Sequence, residues 1–407
     1  MLGIIGMFIT SIVNNSILQF GSDITGELGM DYFGYSVSMN ASGDRIVVGA
    51  PLNDGTVAAS DRGSVRVYSW NGTAWSQLGA DIDGEASGDQ FGYSVSINDA
   101  GDRIAVGGPF NDGTGSDGGH ARVYSWNGTA WSQLGADIDG EATGDQSGYS
   151  VSLNSAGDRL IIGAPYNDAG SLNSNRGSVR VYSWNGTSWV KLGADIDGTG
   201  SQHRLGISVS INSVGDRIAV GLPYAGFGIT RIFSWNGTAW SQLGSDIAGE
   251  ASSNQSGYSI SLNNAGDRIA IGAPLNGDTI NNPPGSGHVR VYSWNGTAWV
   301  KLGADIDGTI ESEYSGWSVC MNASGDRVVI GSPLNDGPVT NSDRGCVRVY
   351  SWNGTAWNKI GDVTGTGSTG NFGHSVSMNA AGNRIIVGAP YNDTGGTNRG
   401  LVSIYSV

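Results

Sequence analysis

The chain has 407 residues, 68 of them glycine and only 14% charged, with a net charge of −15 at neutral pH. That acidic balance excludes a nucleic-acid backbone as partner, which calls for basic patches, and suits cations, cationic partners or plain solubility. Two cysteines exclude a disulfide framework, and the two or three domains that length alone suggests give way if the chain is internally repetitive.

The first sixteen residues form an apolar segment. Leu2 to Val13 carries no Lys or Arg and is too short to span a bilayer. It reads either as the hydrophobic part of a secretory signal or membrane-proximal anchor, or as a docked terminal segment. Membrane contact is expected only if it is an anchor. From residue 17 to 407 one unit recurs. The pattern Gly-x-Ser-[Val/Ile]-[Ser/Cys]-x-Asn begins at Gly34, Gly92, Gly148, Gly206, Gly257, Gly316 and Gly373. Each copy holds four alternating segments, a to d, which in the first are Tyr35–Asn40, Arg45–Ala50, Ser64–Trp70 and Ala74–Asp81. A short Gly-containing turn joins a to b, and Asn-Gly, a strong hairpin signal, joins c to d, with either two or four residues in the loop. The b–c connection is long, variable and rich in Asn, Asp and Gly, hence a surface loop.

Four antiparallel strands per unit, seven units and no helical periodicity predict an all-β fold: one seven-bladed β-propeller over residues 17–407. The ends agree. The last copy stops inside segment c at Val407, while Ile17 to Ile24 matches the d segment Trp75 to Ile82. The N-terminal strand is therefore expected to complete the seventh blade and close the ring, removing two open sheet edges.

Phe-Gly opens units at Phe33-Gly34, Phe91-Gly92 and Phe372-Gly373, and Gly-Ala-Pro closes segment b at Gly49, Gly163, Gly272 and Gly388. In these motifs the chain resembles the FG-GAP propellers of integrin α-chains. That resemblance implies a seven-bladed propeller used in extracellular recognition and adhesion. The family's calcium loop does not carry over, because Asn40-Ala41-Ser42-Gly43-Asp44 holds one carboxylate and the downstream position is Val48.

A feature present in every blade is most economically part of how a blade folds, whereas a single site must break the symmetry. The repeated Asp-Arg pairs, such as Asp44-Arg45, fit a turn cap with an arginine bonding neighbouring carbonyls. A second acidic pattern follows segment d: Asp81, Asp83, Glu85 and Asp89 in the first copy, Asp137, Asp139, Glu141 and Asp145 in the second. Spaced carboxylates around a Gly turn are hard-oxygen ligands suited to Ca²⁺, and these eight are the calcium candidates; the competing reading is a solvated interblade loop. Tryptophans flank Asn-Gly-Thr in six copies, among them Trp70/Trp75, Trp126/Trp131 and Trp184/Trp189. They serve either as platforms for sugar rings or partner surfaces, or as cross-strand packing that stabilises the outer hairpin. The same Asn-Gly-Thr, as at Asn71, fits an N-glycosylation acceptor.

The symmetry breakers are few. His120 and His288 replace the Ser64 equivalent, His374 replaces the Tyr35 equivalent, and His203 stands beside Arg204; all four read as isolated surface or blade-edge histidines. The fourth copy has a short b–c loop with Tyr224 and Phe227, and the fifth carries Asn281-Asn282-Pro283-Pro284, so a unique ligand site, if one face has one, is expected on these two loops. Cys320 and Cys346 lie on strands separated by a third, about 9–10 Å apart, too far to bridge. No nucleophile–base pairing, phosphate loop or zinc signature stands out. The expectation is a non-enzymatic, extracellular or surface binding propeller for a protein or glycan. The alternatives are a structural part of a larger surface assembly and an enzyme using the central channel.

Overall fold

The structure, a computed structural model, describes residues 17–55, 60–170, 174–277, 285–337, 342–366 and 369–407. The 1–16 segment and the prolines of the fifth b–c loop lie outside these residues. Seven antiparallel sheets follow one another along the chain, and no helix occurs among the described residues. In the first blade strand a is Ser36–Met39, b is Arg45–Ala50 and c is Ser64–Trp70. Val, Ile and small residues alternate on these pleats as a two-sided strand requires. The register Val37↔Val48 and Val47↔Val67 stacks their side chains toward the adjoining blades.

The outermost strand departs from the expected continuous segment. In the first blade it is split into Trp75–Gln77 and Ile82–Asp83, both pairing with strand c. Gly79, between the halves, has φ +87, and a Cβ there would stand 2.9 Å from Trp126 of the next blade. The sixth blade runs unbroken over Trp357–Thr364, with a register shift opposite Val349/Tyr350. It has one residue fewer between Trp357 and Gly365 than the first blade has between Trp75 and Gly84. The hairpin register Trp70↔Trp75 gives a four-residue loop, with the Asn71 amide donating to the Ala74 carbonyl.

The ring closes through the N-terminal strand. Leu18 and Gln19 pair with Ser406 and Tyr405, and Ile24 and Thr25 with Val402 and Leu401. Hydrophobic packing lies between blades rather than at one centre. Val47, Val65 and Val67 of the first blade, for example, pack with Phe91, Ile104 and Val106 of the second.

Three rings of polar links run around the axis. At the a–b turns the Ala41 amide donates to the Asp99 carbonyl, Asp99 to Ser155, and so on until Ala380 donates back to Ala41. Beside them Arg45 donates to the Gly101 carbonyl of the next blade, and the series ends with Arg384 donating to Gly43. Toward the other end Ser36 Oγ donates to Gly92, and Ser375 completes the circle on Gly34. The repeated arginines thus bond neighbouring carbonyls, as expected. The turn cap is Asn40 rather than Asp44: Asn40 Oδ1 accepts the amides of Asp44 and Arg45, and its Nδ2 holds the Asp44 carboxylate.

Strand direction defines two faces. One carries the a–b turns and c–d hairpins; the other carries the b–c loops and the d–a connections between blades.

Candidate functional site

The tryptophan pairs hold blades together. Each indole of the d strand donates to a carbonyl of the preceding blade: Trp131 to Leu78 at 2.8 Å, Trp189 to Leu134 at 2.8 Å, Trp75 to Phe20 at 3.2 Å. Within a pair the rings lie 5.3 to 5.6 Å apart. Trp126 and Trp184 press on Gly79 and Gly135 of the blade before them. The first pair grips the N-terminal segment, with Phe20 4.3 Å from Trp70, so ring closure uses the contact that joins the other blades.

The acidic candidates diverge within each copy. Asp81 accepts Arg66 Nε at 3.1 Å and Gln77, Asp83 sits in the outer strand opposite Ser64, and Glu85 reaches Arg122 of the next blade. Asp89, 2% exposed, accepts the Ala86 amide and Asn111 Nδ2. The second copy repeats the arrangement. Asp137 takes two bonds from Arg122, Asp139 pairs opposite His120, Glu141 faces Arg180 and Lys191, and Asp145 accepts the Ala142 amide and Asn167. The first set of four forms no single cage; from the second, Glu141 and Asp145 line an open cleft of about 610 Å³ with Asp168, Asp195 and Asp197.

A tighter cluster forms across copies. Glu85, His120 and Asp137 bring ligand atoms within 4.8 Å of one another, and Glu250, His288 and Asp305 repeat this in the fifth blade. Both histidines are buried inside the blade, not on its surface, because the head of strand c is covered by the outer strand and the neighbouring connection. In the second blade Arg122 bonds both carboxylates, so the cluster already holds a cation. Burial, then Arg122, lowers the His120 pKa; burial, then Arg290, pushes His288 down to about 4. Burial works to raise the Asp137 pKa, but hydrogen bonds from Arg122 and Gln133 outweigh it and hold the carboxyl below its usual range. Both cysteines are free thiols, as expected.

The channel mouth holds what the repeat alone did not reveal. The glycine opening each a strand has positive φ, and a Cβ on Gly34 would meet the Leu401 carbonyl at 2.8 Å. This close approach seats the following residue at the axis. Tyr35, Tyr93, Tyr149, Ile207, Tyr258, Trp317 and His374 therefore line one cavity of about 240 Å³. Tyr35 lies 4.9 Å from Tyr93 and 4.7 Å from His374, Tyr93 lies 4.9 Å from Tyr149, and Tyr258 lies 4.7 Å from Trp317. Burial raises the pKa of the Tyr35 and Tyr93 phenols, keeping them neutral donors. His374, whose Nδ1 is 3.2 Å from the Tyr35 carbonyl oxygen, is lowered to about 4 by burial.

The girdle breaks in the fourth blade, at Ile207. Beside the gap Arg204 stands 4.7 Å from the Tyr166 ring and 4.8 Å from that of Tyr224. Tyr224 and Phe227, the expected ligand contacts, are 40% and 50% exposed on the loop face. Leu28, Met30 and Ile310, also exposed, lie on d–a connections of the same face. The missed signal was the residue after each motif glycine, aromatic in five copies of seven.

Residues 27–68, spanning the first blade up to strand c, match the family model of the FG-GAP repeat. No curated protein matches the chain. The first repeat thus matches the FG-GAP model, and the same motif recurs in register in all seven blades of a propeller whose last blade is completed by the N-terminal strand.

Proposed function

We propose that this propeller is a non-enzymatic recognition and adhesion module, working outside the cell or at a surface, that receives a protein or glycan on its loop face. The observation that carries the reading is the distribution of exposed apolar side chains. Five of the nine large ones among the described residues, Leu28, Met30, Tyr224, Phe227 and Ile310, stand on loops of the face that holds the aromatic channel mouth. The turn face shows one, Val214. Exposed apolar side chains weighted to one face favour a binding role there rather than on the turn face. Resemblance to the integrin α-chain propellers points the same way.

The tryptophan hairpins are the weaker candidate, because their indole N–H groups and ring faces already serve the blade contacts. The acidic loops are weaker calcium sites than their spacing suggests, since Arg66 and Arg122 already take their carboxylates. A glycan array probed with the purified protein, with calcium and with a chelator, tests the reading beside a Tyr224→Ser/Phe227→Ser variant. Binding that survives the chelator and is lost in the variant is expected. Binding unchanged in the variant would move recognition off this face. A protein that binds nothing on the array and assembles with itself would favour a structural role in a surface coat.

A further inference from the structure

We propose that Arg204 is a subsite for the carboxylate of an acidic sugar, which docks at the gap in the aromatic girdle. The inference rests on the reading of the loop face as the binding face.

The other arginines with defined roles are accounted for. Those of the a–b turns donate to carbonyls of the next blade, and those of the c strands, such as Arg66 and Arg348, pair with carboxylates. Arg204 has neither kind of partner among the described residues. Its Nη1 is 3.4 Å from the Tyr166 hydroxyl, and its Nε is buried without a hydrogen-bond partner. A buried donor left unpaired is uncommon and calls for a physical reason. Arg62, Arg176 and Arg344 also leave Nε unpartnered, but no cation–π contact is found for them among the described residues.

Two features make Arg204 a built receptor. It occupies a turn position with φ 51, where the equivalent residues Gln90, Gln146 and Gln255 also have positive φ but carry no charge. Tyr166 and Tyr224 lie within cation–π range of the guanidinium. With both rings against the guanidinium and no carboxylate or carbonyl partner among the described residues, its outer N–H groups are left for an acceptor, and a guanidinium fork matches a carboxylate bidentately. The exposed ring of Tyr224 beside it, on the same loop as exposed Phe227, suits the C–H face of a pyranose, which the side chain of an acidic peptide does not need. Tyr149, 6.4 Å from Tyr166, connects the subsite to the channel-mouth cavity. The overall charge of −15 opposes an anion at long range. At physiological ionic strength that repulsion decays over about 8 Å, so the local guanidinium decides.

The test is calorimetric titration of the full chain with oligosaccharides ending in a uronic acid, their carboxyl-reduced neutral counterparts, and a short aspartyl peptide. The acidic sugar is expected to bind about tenfold or more tighter than the neutral one. Arg204→Gln, which places the residue of three sister blades at this turn, should erase that preference while the protein stays folded, with only the small loss of stability that two cation–π contacts account for. Arg204→Lys should recover only part of it. Equal affinity for acidic and neutral sugars, no binding of the acidic sugar, or an unchanged Arg204→Gln variant would overturn the subsite; a preference for the aspartyl peptide would overturn its assignment to sugars. If acidic and neutral sugars bind equally well and Tyr224→Ser abolishes that binding, the loop-face reading stands while the Arg204 subsite falls.

Discussion

The two faces of this propeller are made from the same repeat and carry opposite burdens. On the turn face a seven-membered circle of backbone hydrogen bonds, from Ala41 to Ala380 and back, lies beside a circle of arginines that each grip the next blade. Any change there is felt by two blades. On the loop face the b–c connections differ in length and composition, and most of the exposed apolar loop side chains among the described residues lie there. Identical contacts hold the ring shut at one end, so the loops at the other are free to differ.

The largest expected effect comes from opening the ring. Deleting residues up to Thr25 removes the strand paired with Leu401–Ser406 and the Phe20 that packs on Trp70. A loss exceeding about 4 kcal/mol, with aggregation through the bared edge, is expected in thermal unfolding and light scattering. Acid comes next. His288 is ordinarily protonated near pH 6.5 but is held down to about 4 by burial and Arg290, with Lys301 adding to that and Asp305 opposing it. The unfolded chain therefore binds the proton first. Stability is full above pH 6.5 and falls through the window from 6.5 to 4, by on the order of 2–3 kcal/mol for this group. His288→Ser, the residue of sister blades, should remove its share of that slope and leave the share of His374, which burial also holds down to about 4.

Smaller effects sharpen the contrast between faces. Arg384→Ala removes the bond to Gly43 and the contact 4.0 Å over the Phe20 ring. About 2 kcal/mol should be lost in chemical denaturation. Trp131→Phe keeps a ring but drops the bond to Leu78, costing roughly 1 kcal/mol. Phe227→Ser on the loop face should change stability by no more than about 0.5 kcal/mol while reducing ligand binding. A loop-face substitution that destabilised the protein as much as Arg384→Ala would erase the distinction.

The architecture was legible because the repeat, its Asn-Gly hairpins and the matching ends at Ile17 and Val407 are local features of the chain. The split outer strand was not, since the break at Gly79 answers to tryptophans one blade ahead. Contacts between copies were equally hidden: Glu85 and Asp137 looked like members of separate acidic loops, yet they meet across His120. The channel mouth escaped for a different reason. Repetition marks folding rather than function for positions spread around the rim. At the axis seven copies of one position converge, and Tyr35, Tyr93 and Tyr149 become one surface. Tyr224 and Phe227 are legible in the sequence because they break the pattern; Arg204 is not, because its meaning depends on rings from two b–c loops.

Native-state hydrogen exchange at the turn-face circle tests the account most directly. The amides of Ala41, Asp99, Ser155, Ser213, Asn264, Ala323 and Ala380 each donate to the turn of an adjoining blade. They should exchange together, only through global unfolding, while amides of the fourth b–c loop exchange far faster. If the seven exchange at scattered rates, or as fast as that loop, the turn face is not one closed girdle and the division of labour between the faces is wrong.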